Sequence, residues 1–298
     1  MITYTVRDND TLSGLLLRHG YSRNRIRQLL KYKSLSVNGE VVRHPEMPLS
    51  PGDRITVRTS SAGVATDVIR RSGIAIRYED DAIMVVEKPA GLLTMATESE
   101  RRNTLYFLLN EYLKAKSPDK GERVFIVHRL DRDTSGLLIF AKSEDVQQRL
   151  RNQWKSVGKR YLAVVDGVPG RREGVISGYV SEMSTLKVYV AGETSGARLA
   201  VTEYRVLRWG RDHALVEVKL VTGRKHQIRV HLASIDHPVA GDRRYGSRTN
   251  PIGRLALHAS SITFRHPVTG TVMAFGSRLP AAFTPLLRKM GEEEGGSA

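Results

Sequence analysis

Between residues 127 and 140 the chain runs Val127-His128-Arg129-Leu130-Asp131-Arg132-Asp133-Thr134-Ser135-Gly136-Leu137-Leu138-Ile139-Phe140. Two carboxylates, two guanidiniums, an imidazole and two hydroxyls stand together between apolar runs, which suits a site better than a core. Asp131 is flanked by Arg129 and Arg132, whose charges favour the carboxylate. An ionised aspartate is fitted to act as nucleophile, base or partner of a cationic intermediate rather than as a general acid. Asp133 could share its face if the segment were a strand, and the residues alone do not choose between the two. The plain alternative is a surface salt-bridge loop, which leaves unexplained why the cluster lies between two core strands.

The elements that must hold this cluster can be read from pattern. Val124 to Val127 and Leu137 to Ala141 are short β-branched and aromatic runs, with turn chemistry at Thr134-Ser135-Gly136. The cluster therefore sits at the mouth of a strand-turn-strand unit. Strands are expected at Ile76 to Tyr78, Ile83 to Val86, Tyr161 to Val165, Leu199 to Leu207, Ala214 to Val221 and Leu255 to Phe264. A helix is traced by Leu105, Leu108, Leu109, Tyr112 and Leu113, and another, capped by Ser143, by Val146, Leu150 and Trp154. Many strands with few helices between them predict an α+β domain on a mixed, mainly antiparallel sheet. His226 to Ile235 fits a helix or a strand equally well, and Gly167-Val168-Pro169-Gly170 reads as a hairpin turn.

Residues 1–60 form a small unit of their own. Leu12, Leu15 and Leu16 before Gly20 predict one short helix, and Ser22 caps a second whose Ile26, Leu29 and Leu30 mark the packing face. Arg23, Arg27 and Lys31 recur every fourth residue on another face, a row of cations spaced to meet phosphates, or simply a solvated face. Asn38-Gly39 predicts a hairpin. Residues 61–73 read as a linker, 74–290 as the large domain, and 291–298 as a tail that can bury nothing.

The chain has 298 residues, 47 Lys and Arg against 31 Asp and Glu, and a formal charge of +16, so a polyanion is the natural partner. No apolar run approaches the roughly 18 residues of a membrane span. The chain contains no cysteine, which removes disulfides, thiolate zinc sites and cysteine nucleophiles together. With no signal peptide in the first residues, the expected location is cytoplasmic. Nine histidines without a His-Glu-x-x-His pattern leave no convincing metal set.

His-Arg-Leu-Asp-x-x-Thr-Ser-Gly at 128–136 resembles the catalytic motif of the RluA family of pseudouridine synthases. Three further segments agree in order across residues 87–231: Glu87-Lys88-Pro89-Ala90-Gly91, Lys159-Arg160-Tyr161-Leu162-Ala163-Val164-Val165-Asp166-Gly167, and Gly223-Arg224-Lys225-His226-Gln227-Ile228-Arg229-Val230-His231. Two positions depart from the pattern: Lys225, where threonine is frequent, and Gly178 to Glu182, where a more basic, proline-containing stretch is expected. Residues 1–60 resemble the small α/β RNA-binding domain shared by a small-subunit ribosomal protein and tyrosyl-tRNA synthetases.

The resemblance implies the pseudouridine synthase fold and isomerisation of uridine in structured RNA, large-subunit ribosomal RNA ahead of transfer RNA. It implies no cofactor, since the reaction involves no redox step and no external atom, and a monomer without obligate protein partner. Asp131 is then the catalytic aspartate, Arg229 its cationic partner, and Tyr161 the pocket tyrosine that stacks on the uracil. It implies a helix for His226 to Ile235. Leu257 and His258 support the pocket; Arg129 and Thr134 position the nucleotide or hold the loop. Because the target base must leave its stack, His128 and Arg132 are expected to brace the gap or contact phosphate. A non-catalytic RNA-binding protein on the same fold is the principal alternative, and a hydrolase using Asp131 and Asp133 a second.

Overall fold

The computed structural model describes residues 2–31, 33–57, 69–117, 120–182, 188–191 and 196–292. They fall into two compact units, Met1–Gly73 with Phe107–Arg123, and Ile74–Tyr106 with Val124–Ala298. Most of the expected linker, residues 61–68, lies outside the described residues.

In the first unit, strands β1 (Ile2–Thr5), β2 (Leu35–Val37), β3 (Glu40–Val41) and β4 (Arg54–Val57) form an antiparallel sheet in the order β1-β4-β2-β3. Asn38 and Gly39 both have positive φ, 51° and 91°, the geometry a two-residue hairpin needs. Helix α1 (Leu12–Arg18) is capped by the Thr11 hydroxyl, which accepts the Gly14 N–H. Helix α2 (Arg23–Lys31) is capped by Ser22 Oγ, which accepts the Arg25 N–H at 3.2 Å. The two helices bury Leu12, Leu15, Leu16, Ile26, Leu29 and Leu30 against the sheet. Arg23, Arg27 and Lys31 stay exposed, and Lys31 is ion-paired with Glu111 of helix α3 (Leu105–Lys116).

The second unit is built on one sheet. Its main strands are β5 (Ala75–Glu79), β6 (Ile83–Lys88), β7 (Ser135–Ala141), β8 (Gly158–Asp166), β9 (Glu173–Glu182), β10 (Val188–Ala191), β11 (Arg198–Trp209), β12 (His213–Leu220), β13 (Leu257–Arg265) and β14 (Val272–Gly276). The short strand Phe125–Ile126, within the expected run Val124 to Val127, pairs antiparallel with Phe140 and Ala141 of β7. The order is β10-β9-β11-β12-β8-β13-β7-β6-β5, with β14 beside β13. Every pairing in this order is antiparallel except β7 with β13, so the sheet is mixed and mainly antiparallel. Both edges of β8 are taken by β12 and β13. The turn at Gly167 to Gly170 therefore carries the chain from β8 to the non-adjacent β9 and is no hairpin, a correction to the sequence reading. Of the expected tail, Gly291–Glu292 pairs with Trp209 and Arg208, and the rest lies outside the described residues.

Strand β7 is buried at all seven positions. On one face Leu137, Ile139 and Ala141 pack with Ile83, Val85, Ile262 and Phe264 under Val146 and Leu150 of helix α4 (Glu144–Asn152). Ser143 caps α4 by accepting the Val146 N–H, as its position predicts. Trp154 packs partly buried on the same cluster. At the entry to β7, Gly136 has φ +118° and lies against β13 so closely that a Cβ would run into the Ala259 backbone. Only glycine meets both demands. Gly136→Ala is expected to lose roughly 2–5 kcal/mol by chemical denaturation, from overpacking plus backbone strain.

Candidate active site

Residues 129–134 lie in a loop that enters β7, so Asp131 and Asp133 are not on a strand and the shared-face argument does not apply. The loop is held at almost every residue. Thr94 Oγ1 accepts the Leu130 N–H at 3.2 Å and donates to the Leu130 carbonyl at 2.7 Å. Gly91, with φ +83°, donates its N–H to the Arg132 carbonyl at 2.9 Å. The Thr134 N–H closes a turn onto the Asp131 carbonyl at 3.2 Å. The guanidinium of Arg254 reaches the Asp133 carbonyl and Ser135 Oγ.

Lys88, to which the sequence assigned no role, is the centre of this arrangement. Its side chain is fully buried, and its three N–H bonds go to the carbonyls of Pro89, Leu92 and Arg132 at 2.9, 2.7 and 2.9 Å. An ammonium has three donors and no acceptor, so the tripod uses it fully. The Glu87-Lys88-Pro89-Ala90-Gly91 segment thus serves the loop twice, through Lys88 and through Gly91.

Opposite the loop, helix α5 (Gln227–Ser234) presents Arg229. The Gln227 side chain fixes its start: Oε1 accepts from the Arg224 N–H and Thr222 Oγ1, while Nε2 donates to the Val201 carbonyl and Thr202 Oγ1. Arg229 binds Asp242 in a fork, Nε at 2.6 Å and Nη2 at 2.9 Å, and its Nη1 reaches Asp131 Oδ2 at 3.2 Å. Burial disfavours the guanidinium charge, but Asp242 and Asp131 more than offset it and raise its pKa. The Asp242 side chain is 1% exposed and the Asp131 side chain 26%. The anchoring carboxylate is therefore sealed in, and the presented one faces an open cleft.

That cleft is lined by Arg129, Asp131, Thr134, Tyr161, Arg229 and Leu257, among others. Tyr161 of β8 lines it, at the point where pairing with β13 slips by one residue and leaves Ser260 as a bulge on β13. Burial, and then the Asp131 charge, raise the Tyr161 pKa, so it remains a phenol at neutral pH. His258 sits behind Leu257, buried between Ser135 Oγ and Ser277 Oγ at 2.9 Å each. Among the described residues, no three His, Asp or Glu side chains group to hold a metal.

Two expected site residues lie elsewhere. His128 accepts the Ile139 N–H through Nε2 at 3.0 Å and packs on Trp154, ring centroids 4.5 Å apart. Burial, with help from Lys159, pulls it down to about 3. It is a neutral brace for β7 and not a side chain free to enter RNA, which corrects the expectation. Arg132 is exposed and donates to the Gly91 carbonyl at 3.3 Å, outside the cleft lining. Conversely, the sequence reading missed Lys88, Asp242, His226 and Tyr245. Lys88 and His226 stood inside quoted motifs; Asp242, in a Gly-Asp turn eleven positions beyond the last motif residue, offered only its charge.

Comparison with known proteins gives the family of the chain. The family model for RNA pseudouridylate synthase matches residues 82–234, and the S4 domain model matches residues 15–55. The RNA pseudouridine synthase YlyB of Bacillus subtilis is 35% identical over 91% of this chain and 90% of its own length. Ribosomal large subunit pseudouridine synthase D of Vibrio parahaemolyticus is 35% identical over 92% of this chain and 89% of its own. The structure of human RNA pseudouridylate synthase domain containing 4 superposes with a TM-score of 0.64 at 25% identity, covering 78% of this chain and 97% of that one. A fold of this kind, with an S4 domain ahead of it, defines an RNA-modifying isomerase. The chain belongs to the RNA pseudouridylate synthase family and is an RNA pseudouridine synthase.

Lys88→Met should leave the Pro89 and Leu92 carbonyls without a donor, the Arg132 carbonyl keeping the Gly91 N–H, and cost on the order of 3 kcal/mol. The sign of its pH dependence is testable. Burial pulls Lys88 from 10.5 down to about 7, with Asp133 and Asp131 opposing, so between those values the unfolded chain holds more protons than the folded one. Stability of the natural protein relative to Lys88→Met should therefore rise from pH 7 toward 10, measured by urea denaturation.

Proposed function

We propose that this enzyme converts uridine to pseudouridine at defined sites in large-subunit ribosomal RNA, with Asp131 as the catalytic carboxylate. The observation that carries the reading is the Asp242–Arg229–Asp131 chain, which holds one partly exposed carboxylate at a fixed place in a cleft beside Tyr161. The substrate assignment is supported by the relatives named ribosomal large subunit pseudouridine synthase D and by the cationic face of the S4 domain. There Arg27, Lys31, Lys33 and Arg43 border one depression, well suited to phosphates. Arg23 extends the same helix face. A monomer acting alone in the cytoplasm is the simplest form, since one chain supplies every cleft residue named here.

The reaction breaks the uridine N1–C1′ bond, turns the base, joins C5 to C1′, and moves the C5 proton away while N1 gains one. A carboxylate held by Arg229 can add to the base, trap C1′, or take a proton in a glycal route, and each of the three needs it ionised and within reach of the bound nucleotide. Tyr161, kept a phenol, supplies a stacking ring and a hydrogen-bond donor; it removes the C5 proton only if it passes its own proton on in the same step. Arg129 and Thr134 border the place where the extruded nucleotide would sit, and Leu257 offers it an apolar wall.

Single-nucleotide mapping of pseudouridine in total RNA tests the reading, using cells that lack the protein and cells supplied with the natural sequence or Asp131→Asn. One or a few ribosomal RNA sites should vanish, and only the natural sequence should restore them. Sites confined to transfer RNA would overturn the substrate assignment. No change at any site would favour a binding role without catalysis.

A further inference from the structure

Two side chains that the sequence left without a role meet at the Asp131 carboxylate. His226 immediately precedes helix α5 with left-handed backbone, φ 53° and ψ 16°, uncommon for a residue with a side chain. Its side chain makes no capping bond there. Instead Nδ1 lies 2.8 Å from the Tyr245 hydroxyl and Nε2 lies 3.7 Å from Asp131 Oδ2.

The hydrogen-bond pattern fixes where the protons are. Tyr245 is buried, and its hydroxyl oxygen accepts the Val188 N–H at 3.1 Å. Burial raises the phenol's pKa, so it keeps its proton. That proton needs an acceptor, and His226 Nδ1 is the one in reach among the described residues. A ring that accepts at Nδ1 and is neutral carries its own proton on Nε2. His226 is neutral: burial pulls it down to about 4, against the pull of Asp131 and with Arg229, Arg244 and Lys225 adding to the burial. An N–H thus faces Asp131 Oδ2 from 3.7 Å, the kind of spacing that catalytic contacts show before substrate is bound.

We propose that His226 is a second positioning donor for Asp131, and that Tyr245 acts through it by fixing its tautomer. Arg229 and His226 both converge on Oδ2, which leaves Oδ1 as the oxygen turned to the substrate. A neutral donor adds direction without adding charge, so it orients the carboxylate without quenching it as a second cation would. The opposite tautomer would set a lone pair against the carboxylate. This inference rests on Asp131 being the catalytic residue.

The test combines a spectroscopic and a kinetic reading. Nitrogen-15 spectra of the His226 ring in the natural protein should show the Nε2–H tautomer, and Tyr245→Phe should shift it toward a mixture. Tyr245→Phe keeps the ring that lies 4.9 Å from the Arg229 guanidinium, so it removes the hydroxyl alone. Single-turnover tritium release from total RNA of cells lacking the protein, labelled at uridine C5, should slow about tenfold in Tyr245→Phe, with RNA affinity within twofold. His226→Ala should slow it further, and His226→Gln, which restores an N–H near the Nε2 position, should recover most of that loss. An Nδ1–H tautomer in the natural protein, full rate in Tyr245→Phe, or a His226→Gln no better than His226→Ala would overturn the proposal. The natural-protein spectrum decides the tautomer whether or not a variant folds. If Asp131→Asn proves active in the same assay, the catalytic reading fails by itself and the tautomer result still stands.

Discussion

The site depends on one buried positive charge shared between two carboxylates. Arg229 gives two of its donors to Asp242, which is sealed from water, and one to Asp131, which is not. The two pairs therefore do different work. The Arg229–Asp131 contact is a single bond of 3.2 Å to a carboxylate 26% exposed, and it is a precise constraint on one oxygen. The Arg229–Asp242 fork is where the energy lies. Removing one partner of a buried pair costs about 3–5 kcal/mol because the other is left uncompensated. Asp242 holds Arg229 so that Arg229 can hold Asp131.

A fixed cation is useful only against a fixed loop. Residues 129–134 have little regular structure of their own, yet Thr94, Gly91, Lys88 and Arg254 pin their carbonyls and N–H groups to the walls. Lys88 reaches in from the end of β6, Gly91 and Thr94 from the segment after it, and Arg254 from the segment before β13; β7, between those two strands, is buried at all seven positions. The chain of consequence runs from Gly136, which lets β7 lie against β13, to the loop that enters β7 and the carboxylate it carries. Preorganisation of this kind places the ordering cost in folding rather than in each turnover.

Much of this frame was legible in the sequence because it is local. The Asn38-Gly39 hairpin, the Ser143 cap and the alternating or continuous apolar strands follow from short-range rules, and their boundaries fell within a few residues. The helix at 227–234 was ambiguous by periodicity, since its apolar residues suit either period, and the family pattern decided it. Choosing Asp131 over Asp133 likewise needed the pattern. What spacing does not encode is partnership across the fold. Gly167 to Gly170 looked like a hairpin because turn residues reveal a turn and not which strands flank each other. His128 looked like a probe for RNA because its motif is polar, whereas its ring spends its one acceptor on the Ile139 N–H. Asp242 and Tyr245 lie beyond every quoted motif, and only the sheet brings them to Arg229.

The most direct test of the central claim is a double-mutant cycle on single-turnover pseudouridine formation, with Asp242→Asn, Arg229→Lys and the pair, each checked for folding and RNA affinity. If Asp242 acts by holding Arg229, each single variant should slow the reaction at unchanged RNA affinity, and the double should be little slower than Arg229→Lys alone. Fully additive losses, or an Asp242→Asn enzyme as fast as the natural one, would contradict the account.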